Sequence, residues 1–397
     1  MRQGDSSEDR LIARRAVLAQ LGGTPETVSK ALEYCENHFA LQNLPPPPIL
    51  PLPDEPHLTF WRAHLQQYGS EAFAALQSGL PQFSIPLRAG ISKTAAYKAV
   101  VHDGLPFQEA AFGGCLTLER PAEIRLVIRE HPAGALPVLI IKHRPDFEML
   151  IGALALHHEP GQTNASVNAR MISGFLNWER VRGYQAEWIG AHGLAGINSW
   201  PKERLRVATD EKWRFYDRLM VICEHPYSNS TASALGLDMN EQRWLETSTV
   251  LRLEHEFTHY ATYRLYGYMA LNLFDETICD WAGMMLALGR FDSRRLLHFL
   301  GLESPGQVRP DGRVLTYCQG LDENSLRLIC ELMRRVAEGL EELTTANYVE
   351  KDRVIFWLAL TRLNLELIAA EDRQAFFQES YAAAANLLRS RTIATSE

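Results

Sequence analysis

Thirty consecutive residues, 238–267, most constrain what this chain can become, because they read as one long helix carrying two histidines four positions apart. Asp238-Met-Asn-Glu241 has the spacing at which a capping side chain and a glutamate three residues on satisfy each other's free backbone N–H groups. Gly267 is the expected stop, since glycine enters the left-handed region without steric cost. Val250, Leu253, Phe257, Ala261 and Leu265 recur at helical spacing and predict a core-facing stripe. Roughly opposite lie the histidines of Glu254-His255-Glu256-Phe257-Thr258-His259-Tyr260.

Residues four apart stack on one helix face, so His255 and His259 can reach a single metal ion. Neutral imidazole nitrogen suits zinc, and a catalytic zinc needs three protein ligands with a fourth position left for water. Glu256 lies about 100° round the helix from His255. It is expected to face the open side of the ion, where a carboxylate can take a proton from water and return it to a leaving nitrogen. The third ligand is expected from Asp275-Glu276-Thr277-Ile278-Cys279-Asp280, which opens the next helix 17 positions after His259. That gap allows a helical turn, a loop and an antiparallel return bringing Glu276 to the pair. Asp280, four residues further and on the same face, would accept the free ring N–H of a histidine and fix its tautomer. One bound Zn2+ is the cofactor this pattern predicts.

The H-E-F-T-H-Y sequence followed by E-x-x-x-D resembles the gluzincin metallopeptidases, of which thermolysin is the familiar example. The resemblance covers residues 254–280. It implies a zincin-like pair of active-site helices, with His255, His259 and Glu276 as metal ligands, Glu256 as catalytic base and Asp280 supporting a histidine. It also implies a tyrosine between the two helices that steadies the oxyanion. Tyr268 is the best match, ahead of Tyr266 and Tyr263. Gluzincins run an edge strand beside the cleft, and residues 219–223 are positioned to supply it.

Elsewhere the pattern is coarser. Helices are expected over 9–21 and from Thr24-Pro25, where a cap precedes proline at the first helical position. The run Pro45–Pro48 reads as a stiff connector. A helix is expected over 57–76, and Val- and Ile-rich strands at 124–129 and 137–142 flank a Pro-Ala-Gly turn at 132–134. A helix over 146–157 and a strand over 218–223 follow; 162–213, dense in aromatics, gives no firm assignment. Beyond Gly289, the expected stop of the 275–288 helix, helices are expected at 293–300, 325–343, 351–369 and 373–389, forming one wall of the cleft. The fold class is therefore α+β, a small central mixed or antiparallel sheet followed by a large all-helical half. Three domains are expected: 1–56, an N-terminal helical segment with the proline connector; 57–237, carrying the sheet; and 238–397, carrying the metal motif.

Forty basic against 48 acidic residues give −8, which offers no basic excess for nucleic acid. Apolar runs are too short to span a bilayer, the first ten residues lack a signal-peptide core, and six scattered cysteines form no C-x-x-C pair. A cytoplasmic protein acting on a peptide or small amide, with no nucleic acid and no membrane involved, is the expectation. Cys279, on a different face from Glu276 and Asp280, reads as a small buried residue. His157-His158 reads as a helix end, and His225 could line the cleft if the preceding strand is its edge. The expected activity is zinc-dependent hydrolysis of a peptide or amide bond. The alternatives are a zinc hydrolase of a non-peptide small amide and a non-catalytic, zinc-stabilised helical interaction protein.

Overall fold

The computed structural model describes residues 6–41, 50–161 and 167–392, so the Pro45–Pro48 connector lies outside the described residues. The chain divides into two compact units, one of residues 51–225 and one of residues 1–50 together with 226–397. The N-terminal segment expected as a separate domain over 1–56 thus belongs to the helical unit, and the second boundary falls at 225 instead of 237. The reason is burial. Helices α1 (Ser6–Gln20) and α2 (Pro25–Tyr34) carry Val17, Leu18 and Ala31, all buried, and two short helices cannot cover such residues by themselves. Thr24 caps α2 as expected, accepting from Thr27 N, with Pro25 in the first turn. Arg14 bonds the buried Glu366 at 3.0 Å, and the Asn37 amide, just before α3 (His38–Leu41), donates to the carbonyls of Thr361 and Leu363.

Within 51–225, the helix expected over 57–76 is two, α4 (Leu58–Tyr68) and α5 (Ala72–Gly79), because Gly69 adopts φ 51° and breaks the run. Strands β1 (Arg125–Arg129) and β2 (Leu136–Ile141) form the expected antiparallel hairpin, closed by the pair Arg129 and Leu136. Helix α6 (Arg144–Ala155) and β3 (Ala169–Leu176) follow. Helical segment α7 (Trp178–Asp210) and strand β4 (Tyr216–Cys223) complete the unit. The sheet order is β1-β2-β4-β3, with β4 parallel to β2 and antiparallel to β3. This corrects the edge-strand expectation: 219–223 lies inside the sheet, with its backbone hydrogen-bonding groups engaged on both sides. Both faces of β2 are buried, and Leu139, Ile141, Leu219 and Val221 pack with Trp61, Leu76, Phe147 and Leu150.

The helical unit continues with α8 (Glu241–Tyr266) and α9 (Leu273–Leu288). The cap of α8 is Asn240, accepting from Arg243 N, and not Asp238 two residues earlier. Gly267 (φ 66°) and Gly289 (φ 70°) end the two helices in the left-handed conformation, as expected. Then come α10 (Ser293–Leu300), α11 (Arg313–Tyr317) and α12 (Glu323–Asn347). The helix expected over 351–369 splits into α13 (Arg353–Leu360) and α14 (Leu365–Ala369), and α15 (Arg373–Thr392) closes the series. Trp281 of α9 stacks on Phe356 of α13 with centroids 4.7 Å apart, anchoring α9 in the core. The architecture is α+β, and no helix among the described residues is long and apolar enough to cross a membrane.

Candidate metal centre

Helix α8 is covered on nearly every side where it carries the motif. From Leu251 to Thr262 every residue is buried except Glu256, which is partly exposed. The predicted stripe holds at Leu253, Phe257, Ala261 and Leu265, whereas Val250 is 37% exposed. The histidine face is buried as well, against α9. This return depends on the short connection 267–272, in which Gly267 ends one helix and Asn272 caps the next by accepting from Asp275 N.

The return brings Glu276 to both imidazoles. His255 Nε2 lies 3.4 Å from Glu276 Oε2, and His259 Nε2 lies 3.4 Å from Glu276 Oε1. The other ring nitrogens are equally well supplied: His255 Nδ1 is 2.9 Å from Asp280 Oδ1, as predicted, and His259 Nδ1 is 3.2 Å from Asp275 Oδ2. The role of Asp275 was not anticipated, although its position beside Glu276 was a usable signal. It also accepts from Ala270 N at 2.8 Å, which ties the interhelical connection to the site.

Burial opposes charge on His255, His259, Glu276 and Asp280, and their bonds and charged neighbours overcome it. Burial would lower His255, yet the hydrogen bonds its ring donates to Asp280 and Glu276 hold its pKa above the ordinary value. Burial would raise Glu276, but bonds to the two histidines hold it well below the usual carboxylate range. Asp280 is also lowered against burial, chiefly by the Arg313 charge and then by His255.

Three residues that sequence reasoning missed complete the cluster. Arg313, largely buried, donates to Glu276 Oε2 at 2.8 Å, to Asp280 Oδ2 at 3.2 Å and to the Tyr317 hydroxyl at 2.9 Å. Tyr227 donates to Asp280 Oδ1 at 2.5 Å, and its hydroxyl lies 2.9 Å from His255 Nδ1. Arg313 and Tyr317 belong to a five-residue helix with no periodic signature, and Tyr227 to a turn, so nothing in local pattern marked them. They do come from the helical half after Gly289, or from the turn just before α8. Tyr268 has its described ring contacts with His38 (5.2 Å) and Phe39 (6.1 Å). The dependence suggested for His225 on an edge strand lapses with the internal position of β4.

Two donor sets could hold a metal. Ligand atoms of His255, His259 and Cys279 lie within 4.8 Å of one another. Alternatively, each Nε2 could ligate together with Glu276, whose two oxygens each lie 3.4 Å from one of them, close to the roughly 3.3 Å expected between two donors about 2.0–2.1 Å from a tetrahedral zinc. This second set leaves each Nδ1 facing a carboxylate, the arrangement that fixes the tautomer of a ligating histidine. Burial pushes the Cys279 thiol well above its ordinary value, and Sγ is 3.8 Å from Asp275 Oδ1. The two raised imidazoles and Arg313 together offset Asp275, Asp280 and Glu276, and a divalent ion would keep that balance by taking the place of the two ring protons.

No curated protein and no solved structure matches this chain. The profile described as "Family of unknown function (DUF7005)" matches residues 16–372, a span that includes both helices of the metal centre and the Arg313 cluster, and the chain belongs to that family.

Proposed function

We propose that this chain is a zinc-dependent hydrolase of gluzincin type that cleaves an amide bond. The observation that carries the reading is the convergence of both Nε2 atoms on Glu276 at 3.4 Å, with a carboxylate behind each Nδ1. His255, His259 and Glu276 would hold the ion. When bound, zinc supplies Lewis acidity to the substrate carbonyl and makes a water acidic enough to attack near neutral pH.

The remaining work falls to side chains. Glu256 alone of residues 251–262 reaches solvent, which suits a base that must meet water and substrate. It takes the proton of the attacking water and delivers it to the departing nitrogen as the C–N bond breaks. Asp280 and Asp275 keep both imidazoles in the tautomer that leaves Nε2 free to ligate. Arg313 offsets the charge of Glu276 and Asp280, holding the carboxylates in register. The oxyanion role of Tyr268 rests on its position in the interhelical connection.

The bond cleaved belongs to a peptide or to a small amide. A panel of peptides set against small amides separates the two substrates.

The test is metal content beside turnover. Wild type is expected to hold about one zinc per chain and His259→Ala far less. Glu256→Gln is expected to keep its zinc and lose about 10²–10⁴-fold in turnover. Near-equal zinc in wild type and His259→Ala would overturn the proposal. Intact biological activity in Glu256→Gln would favour a non-catalytic zinc protein.

A further inference from the structure

Segment α7 is not one rod. At Gly193 the backbone takes φ 59° and ψ −137°, and the helix reverses. The Tyr184 hydroxyl donates to Glu203 Oε1 at 2.8 Å, the Trp188 indole N–H donates to the Ser199 hydroxyl at 3.2 Å, and the Tyr184 and Trp200 rings are 6.2 Å apart. On a straight helix Tyr184 and Glu203 would be separated by about 28 Å. The two arms therefore lie side by side as a helical hairpin. Gly196 makes their close approach possible, since a Cβ there would sit 3.0 Å from Ile189 Cα and 3.1 Å from the Trp188 carbonyl oxygen.

The base of the hairpin is packed, with Trp178, Val181, Val207 and Phe215 forming a buried cluster. The tip is the opposite. Residues 190–195, 197 and 198 are all exposed, Leu194 at 81% and Ile197 at 53%. Fourteen residues, 188–201, contain no Asp, Glu, Lys or Arg, and a tryptophan stands near each end. Beyond this stretch, residues 178–187 and 202–214 hold seven basic side chains, of which Arg180, Arg204, Arg206 and Arg214 form ion pairs while Arg182, Lys202 and Lys212 are exposed. Each arm of the uncharged tip is about seven residues long, or about 10 Å, similar to the depth at which peripheral apolar elements sit in a lipid interface.

We propose that the hairpin tip binds a lipid surface. Leu194 and Ile197 enter the boundary between headgroups and acyl chains of an anionic membrane, Trp188 and Trp200 sit at headgroup level, and the basic residues behind them meet lipid phosphates. Leu194 and Ile197 project from the end of a hairpin with the basic Arg182 and Lys202 exposed on the arms behind them, a charge pattern that suits an anionic lipid surface. The expectation of no membrane involvement rested on spanning length, and a hairpin of this kind need not span. This inference is independent of the metal centre.

The experiment is co-sedimentation of the full chain with phosphatidylcholine vesicles, with and without phosphatidylserine, alongside tryptophan emission and quenching by brominated lipids. Wild type is expected to bind the serine-containing vesicles with blue-shifted, quenched emission. Leu194→Asp with Ile197→Asp should weaken binding about tenfold or more. Arg182→Glu with Lys202→Glu should lower the preference for anionic lipid about 30-fold or more, each basic residue near the surface contributing roughly fivefold. All four positions lie outside the buried core, and an unchanged thermal transition verifies folding. Failure of wild type to bind either vesicle, or equal binding by wild type and the Leu194/Ile197 variant, would overturn the proposal. So would self-association abolished by that variant without vesicle binding, which would make the tip a contact between two copies.

Discussion

Asp280→Asn tests the metal centre at its least ambiguous contact. Asp280 faces His255 Nδ1 at 2.9 Å, takes the Tyr227 hydroxyl at 2.5 Å and receives Arg313 at 3.2 Å. Asparagine keeps the shape and removes the charge. If its oxygen still accepts from His255 Nδ1–H, a charge-assisted bond becomes a neutral one of roughly half the strength, a loss of about 1–1.5 kcal/mol. That is about five- to tenfold in zinc affinity. If the amide turns its NH2 toward Nδ1, the imidazole proton moves to Nε2 and the ligand is blocked, taking the loss toward about 100-fold, the upper end for residues that orient metal ligands. Competition with a chromophoric chelator measures the affinity directly. The expected fall is therefore about 5–100-fold, with Asp275→Asn in the same range through His259. Zinc affinity within about twofold of wild type for both variants would refute the argument that carboxylates behind Nδ1 prepare these imidazoles as ligands.

Cys279→Ser should keep its zinc, because on the proposed reading Glu276 supplies the third donor; loss of metal on elemental analysis would transfer the site to His255, His259 and Cys279. His57 and His158, both buried in the 51–225 unit, are each lowered from the ordinary 6.5 to about 4, chiefly by burial. The unfolded chain binds more protons between those values, so stability is full above pH 6.5 and is lost as pH falls to 4, by up to about 3 kcal/mol per histidine. Urea midpoints at the two ends of that window check this, and an unchanged pH slope in His158→Gln would refute the share given to that residue. Gly104→Ala should destabilise the same unit by about 2–4 kcal/mol, because Gly104 has φ +75° and a Cβ would lie 2.4 Å from the Trp178 ring. A loss below about 1 kcal/mol by denaturant titration would count against it.

What was legible in the sequence is what short-range periodicity controls. Residues four apart share a helix face, so His255 with His259 and Glu276 with Asp280 could be paired before any coordinates, and Gly267 and Gly289 marked where their helices stop. The hairpin of β1 and β2 was legible because its turn lies between the strands. Strand pairing beyond neighbours was not: whether β4 is an edge depends on β3, about forty residues earlier, in a region whose aromatic density hid both a strand and the hairpin at Gly193. Arg313 lies 37 residues after Glu276 on a helix too short to show a period. The N-terminal helices reveal their partner only through distant contacts such as Arg14 with Glu366, 352 positions apart.

That last pairing has a consequence for how the protein is made. At about 5–20 residues per second, the ribosome needs on the order of 20–70 s between releasing Arg14 and Glu366. Throughout that interval α1 waits for α14, on which it packs, while residues 51–225 can complete their own core as they emerge. The opening segment also reaches the metal centre's support, since the Tyr34 hydroxyl donates to the Tyr317 carbonyl and accepts from Leu273 N at the start of α9. Nascent chains stalled before residue 366 should therefore hold the sheet unit folded and the first forty residues open to protease, a division of labour set by the order of translation.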